Sequence, residues 1–344
     1  MIDLLPEAMR EPTVLAIPFF VVMVGLEWWA AWRLDHTDQE RPSQRAQRIP
    51  ADPGTYNPRD SRASLLMGIV SIGTSTGWKA LALLAYAAIF AYVAPWQLPA
   101  DAWYTWVIAI VGLDFLFYWE HRLAHRVRLV WATHQAHHSS EYFNFTTALR
   151  QKWNNSAGIL MWLPLPLLGV PPVLVFIAYS LNLVYQFWIH TEHIDRLWRP
   201  IEFVFNTPSH HRVHHGSDRD YLDRNYGGTL IIWDRIFGSF AAEEHRPTYG
   251  LTTPVDTYNI WHLQTHEYAA IARDVRGAKG LRQRLGFVFG PPGWAPEGAD
   301  PGSVGAKSGA VGEKQGSVGG VSGRSARHRD LTDLRLESSA GGGQ

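Results

Sequence analysis

The sequence predicts an all-α protein, with polytopic membrane helices carrying a cytosolic helical cap that holds a multi-histidine metal centre. Three observations lead there. Long apolar blocks fill most of the first 190 of 344 residues and are long enough for membrane helices. The arginine-rich segments between them all fall on one side of a single threading. Eleven of the 16 histidines lie between 121 and 215, and that threading gathers them at one membrane face.

The elements follow in order. Thr13 to Trp32 is apolar except for Glu27. It is long for a signal-peptide core and no small-residue cleavage pattern follows it, so it reads as the first transmembrane helix. Residues 33–63 are polar and carry Arg33, Arg41, Arg45, Arg48, Arg59 and Arg62. Ser64 to Trp96 is the second apolar block; its polar middle, Gly73 to Lys79, fits either one tilted helix or a broken one. Gln97 to Asp101 leads into a third helix, Ala102 to about His125. Ala157 to Trp188 is broken by Gly169-Val170-Pro171-Pro172, which reads as a helical hairpin whose short arms either span or re-enter. Placing 33–63 in the cytoplasm puts Arg122, Arg126 and Arg128 there too, with everything after the hairpin. The expected organisation is an N-terminal helix and loop (1–63), a catalytic membrane domain with the histidines (64–288) and a disordered Gly/Ser-rich tail (289–344). The arginine-heavy, Ala- and Gly-rich composition points to a bacterial inner membrane protein with its metal site facing the cytoplasm.

Composition removes several classes. There is no cysteine, which excludes disulfides, thiolate zinc sites, iron–sulfur clusters and thiol nucleophiles. Lys+Arg and Asp+Glu balance at 31 each, so a globally basic nucleic-acid binder is not expected. No P-loop or dinucleotide-binding glycine pattern is present.

The histidines form four groups: His121 and His125; His134, His137 and His138; His190 and His193; His210, His211, His214 and His215. Residues spaced three or four apart share a helix face, so each group can aim two or three imidazoles at one point. One zinc needs about four ligands, and nine or ten histidines suit two ions. Imidazole serves Fe, Zn, Cu and Ni; two irons that bind and split O2 fit an all-nitrogen set. Asp114, Tyr118, His121 and His125 make one stripe of the third helix, and an intramembrane carboxylate is a functional candidate by default. Asn182, Gln186, His190 and His193 make a similar stripe on the hairpin. Glu120, Glu141, Glu192 and Asp218 are further candidates for orienting ring nitrogens. The segment Thr229 to Phe240 reads as an interfacial or a core-facing helix, and Asn225-Tyr226-Gly227-Gly228 as a turn.

The boxes HRLAH, HQAHH and HRVHH, with apolar helices between them, resemble the fatty acid hydroxylase/sterol desaturase superfamily of membrane di-iron oxygenases. The stretches YQFWIHTE, NTPSHHRVHHG and NYGGTLIIWDRIFGSF are most similar to its alkylglycerol monooxygenase branch. The resemblance covers about residues 100 to 270. It implies metal ligation by His121, His125, His134, His137, His138, His190, His211, His214 and His215, with two iron ions as cofactors. His193 and His210 have less secure counterparts. Asp114, Tyr118 and Glu192 are the expected catalytic side chains. Arg126 stands where the tetrahydrobiopterin-dependent ether-cleaving members carry Glu directly after the first box.

The implied reaction is O2-dependent hydroxylation of a lipid C–H bond, with the carbon next to an ether oxygen as one target. Sterol or fatty acid desaturation or hydroxylation is the alternative within the superfamily. A bis-histidine haem electron carrier, a metal transporter and a zinc hydrolase are the rivals outside it. The partners implied are a lipid substrate in the bilayer and a separate electron donor, with tetrahydrobiopterin as a candidate small-molecule reductant.

Overall fold

Apolar runs bounded by caps and prolines fold into a succession of helices in the computed structural model, which describes residues 12–35, 52 and 54–296. The first apolar run forms α1 (Pro12–Leu15) and α2 (Ile17–Asp35). The second forms one continuous helix, α3 (Pro58–Tyr92), started by Asn57, whose side chain accepts hydrogen bonds from the backbone N–H of Arg59 and Asp60. That cap satisfies two of the donors a helix start leaves open. The third is α4 (Trp103–Arg126), and α5 (Arg128–His134) follows directly, with a 3-10 turn over His137–Ser139. α6 (Phe145–Ala148) opens on a capping box between Asn144 and Thr147. The hairpin's first arm is split into α7 (Ser156–Met161) and α8 (Pro164–Leu167), and its second arm is α9 (Pro172–Trp188). Gly169 makes the turn at φ 80°. A Cβ there would sit 2.4 Å from the Trp96 carbonyl oxygen, so only glycine fits.

α10 (Arg199–Val204) and α11 (Pro208–His215) carry the chain to the last histidine box. α12 (Ile232–Ile236), α13 (Ile260–Gly277) and α14 (Leu281–Phe289) complete the order. The segment expected as a helix over 229–240 is helical only in α12. No strand occurs among the described residues; two isolated antiparallel bridges, Phe205 with Leu230 and Gly216 with Tyr249, pin the loops. The described residues all lie in the unit spanning 1–312. They continue past the expected boundary at 288, with Trp294 packed edge-on against Phe287 at 5.2 Å. Residues 297–344, and most of the expected tail with them, lie outside the described residues, as does the greater part of the arginine-rich loop.

The main core lies between α3, α4, α8 and α9, where Tyr86, Leu113, Trp162, Leu165, Leu174 and Val175 are buried together. α2 packs on a separate, smaller cluster with Phe145 and Ala148, where Phe20 stacks on Phe187 of α9 at 4.1 Å. Buried Glu27 of α2 bonds Tyr56, the Phe145 N–H and Thr191, which ties α2 to the segments that carry the histidines.

Among the described residues no helix is long and apolar enough to cross a membrane. The expected transmembrane spans are therefore not found. Gly73 to Lys79 breaks the apolar run of α3 without breaking the helix, Asp114 and Glu120 do the same in α4, and α9 has only 17 residues. The apolar side chains are nonetheless outward-facing. Val21, Ile69, Leu84, Tyr92, Trp103 and Leu160 are each more than half exposed.

Candidate metal centre

Nine histidines converge inside this scaffold, in two groups. His121, His125, His134, His138 and His214 form the first; His137, His190, His211 and His215 form the second. Within each group the potential ligand nitrogens lie within 4.8 Å of one another. The local folding explains the grouping. α4 puts His121 and His125 one turn apart, α11 puts His211 beside His214 and His215, and the tight bend after α5 divides His134 and His138 from His137. The two groups abut, with the rings of His138 and His215 stacked at 4.4 Å.

Four outer ring nitrogens are committed, while that of His211 is buried without a hydrogen-bond partner. Nδ1 of His121 donates to the Tyr226 carbonyl (2.8 Å), that of His190 to the Gln186 carbonyl (2.7 Å), that of His214 to the Arg224 carbonyl (3.0 Å) and that of His137 to the Arg150 carbonyl (3.3 Å). A carbonyl only accepts, so each of these Nδ1 atoms carries the hydrogen and each Nε2 of the neutral ring presents a lone pair. The Nε2 atoms of His137 and His190 face each other at 3.3 Å. Two lone pairs at that distance repel unless a cation lies between them. The Nε2 atoms of His125, His214 and His215 are buried without a hydrogen-bond partner. Buried orphan acceptors of this kind are costly, and a metal ion satisfies them. The residues fit a metal on these grounds, and nine neutral imidazoles without thiolate or carboxylate make a donor set suited to iron.

Electrostatics agree. Burial pushes His134, His138, His211, His214 and His215 well below the ordinary imidazole range, and the neighbouring rings add to it. His190 is pushed down to about 4, chiefly by burial. The neutral, metal-binding form is thus the stable one at neutral pH. A small cavity beside the first group is lined by His125, His138 and His214 with Trp131, Asp223 and Leu251.

The other expected site residues are placed differently. Asp114 is buried but fully engaged, accepting from Asn182, the backbone N–H of Thr229 and Leu230, and the Trp233 indole. The Tyr118 hydroxyl meets Ser239 at 2.9 Å and Arg122 at 2.7 Å. Glu192 bonds the Tyr249 hydroxyl and pairs with Arg246 at 3.1 Å. It reaches the histidines only through Tyr249, which stacks on Phe143, which in turn stacks on His190. These three side chains brace segments around the centre. Glu120 pairs with Lys152, Asp218 accepts from the Thr248 N–H, and Gln186 acts through its carbonyl. His210 pairs with Glu202 at 3.0 Å, and neither it nor His193 belongs to either group.

Residues not anticipated are Asp223, 3.7 Å from His125 and paired with Arg126 at 3.5 Å, and the carbonyl-bearing Arg150, Arg224 and Tyr226. A backbone carbonyl leaves no side-chain signature. The run Asp223 to Asn225 does leave one, since Asp and Asn are the side chains that tolerate left-handed backbone.

Comparison with known proteins agrees with this geometry. Residues 106–239 match the fatty acid hydroxylase family model. Alkylglycerol monooxygenase from Homo sapiens is 39% identical over 282 residues, 82% of this chain and 59% of its own length. The Danio rerio protein of the same name is 38% identical over 282 residues, with the same coverage. An ornithine lipid hydroxylase from Rhizobium tropici is 31% identical over 158 residues, 43% of this chain and 44% of its own. The chain thus spans about 59% of the length of the first two relatives. No solved structure matches it. The segment similar to that family model begins within α4 and contains all nine converging rings.

Proposed function

We propose that the chain is an O2-dependent lipid monooxygenase in which the two histidine groups hold one iron ion each. The observation that carries this reading is the meeting of the His137 and His190 Nε2 lone pairs at 3.3 Å, beside the orphaned nitrogens of His125, His214 and His215. The irons, when bound, supply the reduction of O2 that breaks a C–H bond. The chain's own part is to fix the rings, exclude water with Trp131 and Phe143, and orient one methylene.

The substrate we favour is an alkylglycerol-type ether lipid, on the likeness to the two monooxygenases named for it. Hydroxylation at the carbon next to the ether oxygen consumes O2, two electrons and two protons, puts one oxygen atom into the C–H bond and releases the other as water. The hemiacetal formed then collapses to an aldehyde and a free glycerol hydroxyl. The outward-facing apolar side chains of α2, α3 and α4 support a seat against lipid. The electrons come from a separate donor, with tetrahydrobiopterin as the first reductant to test.

The experiment is incubation of iron-loaded protein with ¹⁸O2, a panel of alkylglycerol, fatty acid, sterol and ornithine lipids, and alternative reductants, with products read by mass spectrometry. One ¹⁸O atom is expected in a hydroxylated lipid, or in the alcohol obtained when the aldehyde is reduced with borohydride as it forms, before its oxygen exchanges with water. Turnover with no label in these trapped products, or activity with zinc alone, overturns the reading.

A further inference from the structure

The two histidine groups are braced differently. In the second group, the outer contacts come from separate segments, the Gln186 and Arg150 carbonyls. In the first group, one stretch of four residues supplies three. The Tyr226 carbonyl takes the His121 Nδ1–H, the Arg224 carbonyl takes the His214 Nδ1–H, and the Asp223 carboxylate lies 3.7 Å from His125 Nδ1. The stretch is unusual in its backbone: Asp223 and Asn225 both sit in the left-handed region, at φ 61° and 55°. Alternation through that region turns successive carbonyls toward different rings. A non-glycine residue there costs energy and persists only when its surroundings hold it.

The surroundings hold it at Asn225. This residue lies in sequence between the two accepting carbonyls, those of Arg224 and Tyr226, and is completely buried. Its Oδ1 accepts from the Ala241 N–H (2.8 Å), its Nδ2 donates to the Ala241 carbonyl (2.8 Å) and to the His210 carbonyl (3.1 Å), and its own N–H donates to the Ser239 carbonyl (3.1 Å). Asp234 clamps the next two residues, accepting from the N–H of Tyr226 (2.8 Å) and of Gly227 (2.7 Å). Neither side chain touches a ring of either group.

We infer that Asn225 is a positioning residue, the fixed point of a strap over residues 223–226 that orients His121, His125 and His214 together and so governs the first metal position without governing the second. The inference rests on the iron-binding reading above. Loss of an outer partner typically weakens a metal site by 10–100-fold, and here the loss falls on one site of the pair.

The test compares wild type with Asn225→Gly. Glycine keeps the left-handed backbone at no steric cost and removes only the side-chain clamp. Fe(II) affinity is measured by chelator competition, and the Co(II)-substituted protein is read by its ligand-field spectrum, with folding followed by circular dichroism. Wild type is expected to bind two ions. Asn225→Gly is expected to bind one of them with unchanged affinity and the other about 10–100-fold more weakly, with one cobalt band set altered. Should Asn225→Gly not fold, Asp234→Asn, which preserves size and one acceptor oxygen, is expected to show the same one-site loss more mildly. Two unweakened sites, or two sites weakened alike, in the variant that folds overturn the inference. Wild type that binds no iron overturns the metal reading itself, and is distinguished by that.

Discussion

A single imidazole in this protein does two things with its two nitrogens, and the division of labour decides what a substitution costs. His137 gives Nδ1 to a carbonyl and Nε2 to the centre. His137→Ala is expected to weaken iron at the second group by at least ~10-fold and to abolish turnover; metal analysis of purified protein and product assays check both. The same rings set a pH dependence. Burial holds His190 at about 4 against an ordinary 6.5, and holds His134, His211 and His215 well below it. The unfolded chain takes up protons below 6.5 that the folded chain refuses, so the stability of metal-free protein is full above that pH and is lost as pH falls from 6.5 toward about 4. Thermal melts of chelator-treated protein across that window measure it, and a flat melting temperature contradicts it. The four histidine groups were legible in the sequence through their spacing, and the resemblance to a family pointed to the nine of them that converge, without His193 and His210. Asp114, Tyr118 and Glu192 read less well: a buried carboxylate looks the same in a sequence whether it faces a metal or four hydrogen-bond donors.

Among elements, the contact that matters most is that of the loop 226–230 with α4 and α9. Gly228 permits it. A Cβ there would lie 2.6 Å from Asn182 Nδ2 and 2.8 Å from the Phe117 ring. Asn182 cannot yield, because it is held by Asp114 at 2.7 Å. Gly228→Ala is expected to cost ~1–3 kcal/mol in chemical denaturation and to lower iron occupancy of the first group with it. The sequence marks the turn at 225–228 clearly, through its Asn and glycines. It overstates the helix beyond it: the apolar stripe over 229–240 has helical spacing, yet the backbone N–H groups of Thr229 and Leu230 bond Asp114, which leaves only α12 as helix. Tertiary hydrogen bonds overrode local periodicity. At α3 the opposite happened, and the polar run Gly73 to Lys79 stays helical.

For the whole molecule, the expectation of spanning helices rested on block lengths that include polar interruptions, and those interruptions carry structure. Asp114 anchors a loop and Glu120 an ion pair. All-α architecture was legible because the apolar blocks are far longer than strands and are broken at prolines and glycines. Among the described residues, packing closes through Trp294 and the centre takes none beyond 292. Residues 300–344 read from the sequence as a hydrophilic Gly/Ser-rich tail, and deleting them is expected to leave iron content and turnover within about twofold of the full chain, as for removal of a terminal segment that bears no ligand. A larger loss in matched assays contradicts it.

Arg128 joins the two ends of this architecture. Its guanidinium is wholly buried and its partners, Glu267 and Asp274, come from α13, while its own N–H bonds the Gly290 carbonyl. A buried cation stripped of its carboxylates is strongly unfavourable, so α5 cannot settle before α13 has been made. By the time α13 leaves the ribosome, all nine imidazoles have already been synthesised. α5, which follows His125 and ends at His134, is therefore locked in place only after every ring of the centre exists, when the last helices dock on it.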